Sequence, residues 1–189
     1  MQVPDRVRAV LFYFIAGCAA ALLQVSLPDR TFGIAAKPDL LLVLPILAGF
    51  LFGPVEGACA GAFCGFLADS FSGATIGGGV LVGLYAGLLS AFLFRRLFRK
   101  GLLSALLQVA VVGGAAYVLV EAAGLVFFGP GSLTAAAWAA AFLGRALPLR
   151  LALDAAAAVP LFLLLRYAGP HRRPTKRIGS EEAARGLRA

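Results

Sequence analysis

Apolar residues run almost unbroken along this chain, and its polar residues fall in short clusters between the runs. Residues 9–27 are apolar and close at Pro28-Asp29. At about 1.5 Å per residue, that length crosses a hydrocarbon layer of about 30 Å. Gln24 and Ser26 stand near its far end, at headgroup depth. A mixed-charge loop, 28–38, holds Asp29, Arg30 and Lys37. Pro38-Asp39 then opens a second run, 39–52, short for a full span. Gly53-Pro54 interrupts it, since proline would break a continuing helical ladder. A third helix is expected from Pro54 to about Ala68, with Glu56 in its first turn, where the helix dipole favours an acid. Segment 39–68 therefore reads as a tight helical hairpin, with a re-entrant pair as the alternative.

The later runs follow the same logic. Residues 69–79 read as a polar, glycine-rich turn built on Asp69, Ser70, Ser72 and Gly73. A fourth span is expected over 80–94, closed by Arg95, Arg96, Arg99 and Lys100. A fifth covers 102–128 and ends at Gly129-Pro130-Gly131. Residues 134–167 are too long for one upright span. They divide into an interfacial Ala-rich helix, about 134–144, with Trp138 as its outer anchor, and a sixth span, about 147–167. The organisation is a cytoplasmic tail (1–8), a six-helix membrane domain (9–168) and a basic, disordered cytoplasmic tail (169–189).

Composition agrees. The chain has 189 residues, 61% hydrophobic and 14% charged. A soluble domain is about half apolar and about 25% charged, and a chain of this size could not hide so much apolar surface from water. The fold class is an all-α integral membrane protein. The net charge of +8 reads as topology and not as nucleic-acid binding, because the basic residues cluster at the ends of apolar runs. Six crossings put Arg6 and Arg8, the Arg95–Lys100 cluster and Arg166–Arg177 on one side, the cytoplasmic side, with both termini there.

The chemistry-bearing residues are few. Cys18, Cys59 and Cys64 lie within apolar runs, and His171 lies in the basic tail. No metal spacing, phosphate loop or nucleophile elbow occurs, so neither catalysis nor a cofactor is expected. Gly57, Gly61 and Gly65 recur every four residues on one helix face. In lipid such faces let helix backbones approach closely. The partner is either another helix of this chain or a helix of a second protein. Charged groups at membrane depth are costly. Glu56 and Asp69 bracket the third helix as cap or turn residues. Glu121, Arg145, Arg150 and Asp154 lie deeper. Arg150 and Asp154 stand four apart and can pair, and Arg145 can reach Glu121 or the outer interface. These four read as ion pairs fixing the packing, or as a polar pocket for a ligand or proton.

One family shares the order of these signals. Lys37-Pro38-Asp39-Leu40-Leu41-Leu42, then Phe52-Gly53-Pro54-Val55-Glu56-Gly57, then Gly61, then Gly65-Phe66-Leu67-Ala68-Asp69-Ser70-Phe71-Ser72-Gly73 and Gly77 resemble the bacterial rod shape-determining protein MreD family over about 40 residues. The resemblance implies a non-catalytic scaffold supporting cell shape and peptidoglycan synthesis. It implies binding to MreC, with the SEDS glycosyltransferase, the class B penicillin-binding protein and, indirectly, MreB as further partners. It also implies a fold similar to the substrate-binding subunits of energy-coupling-factor transporters. Pro54, Glu56, Gly57, Gly61, Gly65, Asp69, Ser72 and Gly73 become the candidate partner interface. The alternative function is a small-molecule-binding membrane subunit of a transporter.

Overall fold

The computed structural model describes residues 5–27, 37–72, 77–94, 101–128, 140 and 142–169. All of its regular structure is helical. Helix α1 spans Asp5–Ser26, α2 Leu40–Leu51, α3 Pro54–Ser72 and α4 Gly78–Phe94. Helix α5 (Leu102–Gln108) passes through a π-helical turn, Val109–Gly113, into α6 (Gly114–Phe128). A second π-turn, Phe142–Ala146, leads directly into α7 (Leu147–Ala168). Three stretches are long and apolar enough to cross a membrane: Val7–Ser26, Leu102–Val126 and Leu147–Ala168. Leu40–Leu51 and Gly78–Leu93 are shorter apolar helices. These are the helices of a membrane protein.

The short second run is the centre of the bundle. Every residue of α2 from Leu41 to Leu51 is buried. A helix apolar on all sides is stable only when surrounded, and α1, α3, α4 and α7 all pack against α2. Twelve residues reach only about 18 Å, so α2 is an internal post shorter than the helices around it, which have 17 to 22 residues. Asp39 caps its start by accepting from the Leu42 amide at 3.1 Å. Gly53, with φ 134°, ends the connection in a conformation that side chains rarely adopt, and Pro54 begins α3.

Helices α1 to α4 run in alternating directions. The end of α1 meets the start of α2 through Gln24. Tyr13, earlier in α1, reaches Glu56 at the start of α3, so those two helices are parallel. Gly17 leaves room beside Phe63, and Phe14 stacks near the same ring, centroids 5.3 Å apart. At the far end of the bundle, Gly169 lies against Phe52. Large apolar side chains on the outer faces, among them Val10, Phe14, Val55, Phe92, Leu103 and Leu119, are exposed, as lipid-facing residues are.

Several boundaries differ from the sequence reading: α1 starts at Asp5, within the expected tail, and α4 at Gly78, within the expected turn. Helix α3 continues a full turn beyond Ala68, through Ser72, so Asp69 and Ser72 belong to the last helical turn and not to a loop. The cause is Asp69 itself, whose side chain is held by the next helix. The break expected between 144 and 147 is also missing, because the π-turn at Phe142 joins α7 without interruption. Gly73, Trp138 and the tail beyond Gly169 lie outside the described residues, as does most of the expected 134–144 helix.

Candidate functional site

The glycine ladder comes first, because it fixes the frame. Helices α3 and α4 meet backbone to backbone. A Cβ added at Gly61 would lie 2.1 Å from the Gly83 carbonyl oxygen, at Gly65 2.2 Å from that of Gly79, and at Gly57 2.6 Å from that of Gly87. Gly49 of α2 joins the last level, where its Cβ would lie 2.2 Å from the Gly87 oxygen. Gly57, Gly61 and Gly65 are buried. The face proposed as a seat for a second protein is thus filled by α4 of the same chain, and in this arrangement these glycines cannot seat a partner. The matching ladder Gly79, Gly83 and Gly87 has the same four-residue spacing, so the pairing was readable from spacing alone.

Asp69 locks the far end of this ladder. Its Oδ2 accepts from the amides of Gly77 (2.7 Å) and Val80 (3.3 Å), and its Oδ1 from that of Gly79 (2.8 Å). The first amides of a helix have no partner within it, and a residue at the cap position normally satisfies them. Gly77 stands at that position in α4, with φ 130°, and has no side chain to do so. An aspartate one helix earlier supplies the missing oxygens. Ser72 points its hydroxyl back to the Asp69 carbonyl at 3.1 Å, and Ser70 does the same to Phe66 at 2.8 Å.

Glu56 acts at the opposite end, where its Oε2 accepts from the Tyr13 hydroxyl at 2.6 Å. Tyr13 was not singled out in the sequence, since a tyrosine in an apolar run carries no partner signal. Pro54, beside it, is the first residue of α3.

The densest polar cluster lies at the start of α2. The Asp39 side chain accepts from Gln24 Nε2 at 3.1 Å. Gln24 Oε1 in turn accepts from the Leu41 amide at 3.1 Å, so one glutamine of α1 both caps α2 and holds its capping residue. The Asp39 amide donates to Asp154 Oδ1 at 2.7 Å, and the Tyr117 hydroxyl donates to Asp154 Oδ2 at 2.7 Å. Asp154 is fully buried, and burying a carboxylate is tolerated only with such partners. Arg150 places Nη1 3.4 Å from Glu121 Oε1 and its guanidinium 5.6 Å from the Tyr117 ring centre.

These contacts rearrange the expected pairs. Asp154 is held by Tyr117 and the Asp39 backbone, while Arg150 turns to Glu121 on α6. A helix neighbour four residues away is worth a few tenths of a kcal/mol, whereas two short hydrogen bonds from other elements hold a buried acid more strongly. Arg145 lies in the π-turn before α7, and its side chain is outside the described residues. Gln24 and Tyr117 are the members that sequence reasoning missed. The cluster joins α1, α2, α6 and α7 at one end of the bundle. Among the described residues, no group of three or more His, Cys, Asp or Glu side chains could hold a metal ion.

In comparison with known proteins, no family model matches the chain, and neither a curated protein nor a solved structure does.

Proposed function

We propose that this chain is a non-catalytic scaffold of the bacterial cell-elongation machinery, an MreD-like protein of the inner membrane that crosses it six times with both termini in the cytoplasm. Its fold would then be of the kind used by energy-coupling-factor substrate-binding subunits. The observation that carries the reading is what the costly polar groups do. Asp39, Glu56, Asp69 and Asp154 all tie one helix to another or cap one. A chain that uses its acids to fix helix positions is built to hold a shape. The residues of the family-like motifs are those joints: Asp39 at the head of α2, Gly53 and Pro54 at the hairpin, Glu56 at α1, Asp69 at α4.

On this reading MreC is the direct partner, and the SEDS glycosyltransferase, the class B penicillin-binding protein and MreB are recruited with it. The glycine face is used internally, so the partner contacts a surface other than the α3–α4 seam. The transporter-subunit reading needs an open polar pocket around Glu121, Arg145, Arg150 and Asp154. A buried Asp154 with both oxygens occupied and a paired Arg150 lend it no support.

The test is affinity capture of the tagged chain from gently solubilised native membranes, with co-purifying proteins identified by mass spectrometry. The expected result is MreC as the leading partner, with the elongation synthases in smaller amounts. Recovery of a transport ATPase module or a co-purifying vitamin, with MreC absent, sinks the scaffold reading.

A further inference from the structure

A charged pair on the flank of the bundle stands open to lipid. Glu121 lies inside the span Leu102–Val126, five residues from its end, and Arg150 inside the span Leu147–Ala168, three residues from its start. At about 1.5 Å per residue they sit about 8 Å and about 5 Å inside the apolar layer, a depth that lipid headgroups reach. Their side chains remain 31% and 38% exposed. The acids of the internal joints are different. Asp69 and Asp154 are buried, and each spends both carboxylate oxygens on protein donors. Glu121 uses only Oε1, which receives Arg150 Nη1 at 3.4 Å, a long contact for a hydrogen bond. Among the described residues, Glu121 Oε2 and the four other N–H groups of the Arg150 guanidinium make no hydrogen bond.

The surroundings of the pair are apolar and open. From Val118 to Val126 no residue of α6 is buried. Gly124, one turn beyond Glu121 on the same face, has nothing within 4 Å of the place a Cβ would take. Ionised groups facing hydrocarbon with unused donors and acceptors are costly, and a ligand that engages both members lowers that cost. Its charge follows from the pair. An anion alone meets the Glu121 carboxylate, with Asp154 one turn along α7 from Arg150. A cation alone meets the guanidinium. A zwitterion whose phosphate and ammonium are joined by two carbons suits both, with the phosphate on the free fork of Arg150 and the ammonium on Glu121 Oε2. The ammonium must keep an N–H to donate. A quaternary ammonium has none, and the Tyr117 face that would otherwise attract it is occupied by Arg150.

We propose that Arg150 and Glu121 form a lipid site on the α6–α7 flank that holds the headgroup of phosphatidylethanolamine. Arg150 takes the phosphate, Glu121 takes the ammonium, and the acyl chains lie along the exposed apolar side of α6, where Val118 and Val126 stand. That apolar side is the reason for assigning the phosphoethanolamine group to a lipid and not to a soluble molecule. The inference rests on the membrane character of the chain and not on which partner the scaffold binds.

The test places the full chain in nanodiscs of phosphatidylethanolamine, phosphatidylcholine and phosphatidylglycerol in equal amounts, with identical acyl chains. After gentle transfer to detergent, native mass spectrometry counts the lipid retained. The ethanolamine lipid is expected to be retained about tenfold over the choline lipid, the factor carried by one charge-assisted hydrogen bond. Glu121→Gln removes that preference, and Arg150→Gln lowers retention of all three lipids. Equal retention of the ethanolamine and choline lipids by the parent overturns the proposal. So does a preference for phosphatidylglycerol, or a preference for ethanolamine that survives Glu121→Gln undiminished. Should that variant fail to fold, the N-methylated lipids decide in the parent. Retention that drops only at the last methyl, where the final N–H is lost, supports the site; an even decline with each methyl, as headgroup size alone would produce, overturns it. Soluble glycerophosphoethanolamine is the competing source. If it displaces the retained lipid, the site takes a free phosphoethanolamine and the lipid assignment fails.

Discussion

Replacing Gly61 by leucine tests the frame on which everything else rests. The first added carbon would lie 2.1 Å from the Gly83 carbonyl oxygen, 2.5 Å from its carbon and 2.9 Å from the Leu84 nitrogen. All three are backbone atoms, so no rotamer change relieves the clash. Ordinary contact begins near 3.4 Å, and reaching it from 2.1 Å parts the helices by about 1.3 Å at this level. The levels at Gly57/Gly87 and Gly65/Gly79 are equally tight and lose contact together, because a gap of that size forfeits a large share of the dispersion well. Lipid offers no hydrophobic compensation for separated helices. Overpacking a core costs about 1–3 kcal/mol in ordinary cases, and three levels opened at once place Gly61→Leu at the upper end, about 3 kcal/mol. Reversible unfolding in mixed micelles measures this. The control is Gly124→Ala, where the new Cβ meets nothing within 4 Å and the helix gains about 0.5–1 kcal/mol from the better helix former. If Gly61→Leu unfolds within about 0.5 kcal/mol of the parent, a margin usual for neutral surface changes, the two ladders are not in contact and the packing described is wrong.

Two further substitutions probe the joints. Asp69→Ala removes the acceptor for three amides at the head of α4 and is expected to cost about 2–3 kcal/mol. Asp69→Asn keeps one oxygen and should recover part of that loss in the same unfolding measurement. Gly53→Ala forces a side chain onto a φ of 134° and is expected to cost about 1–3 kcal/mol; equal stability of the two proteins would mean that the hairpin does not need a glycine there.

Much of this architecture was legible in the sequence, and the misses have physical causes. The break at Gly53-Pro54, the start of α3 at Pro54 and the extents of α2 and α5–α6 follow from proline chemistry and apolar run length, and the structure has them. The end of α3 was misplaced because Asp69 looks like a loop residue until the amides it serves, eight to eleven positions later, are in view. The π-turn carries no composition signal: Val109–Gly113 is as apolar as its neighbours. The Arg150–Asp154 pair was a sound local inference overruled by tertiary partners.

The placement of the motif residues also decides how binding experiments on this protein must be read. Asp39, Gly53, Glu56, Gly61 and Asp69 sit at helix caps, a hairpin and a backbone contact, and their substitution acts first on the fold. On the scaffold reading, a variant at any of them that loses its partner has not thereby located an interface, because a loosened bundle displays every surface less well. The informative quantity is partner recovered per folded molecule, with unfolding measured on the same preparation. On the scaffold reading, Gly61→Leu lowers recovery and stability together, whereas a substitution at the true contact lowers recovery alone. The candidates for that second class lie on the exposed apolar faces, such as those carrying Leu11 and Leu22 on α1 or Tyr85 and Phe92 on α4. There a change of side chain leaves the internal joints intact, so a loss of binding without a loss of stability can be assigned to the surface.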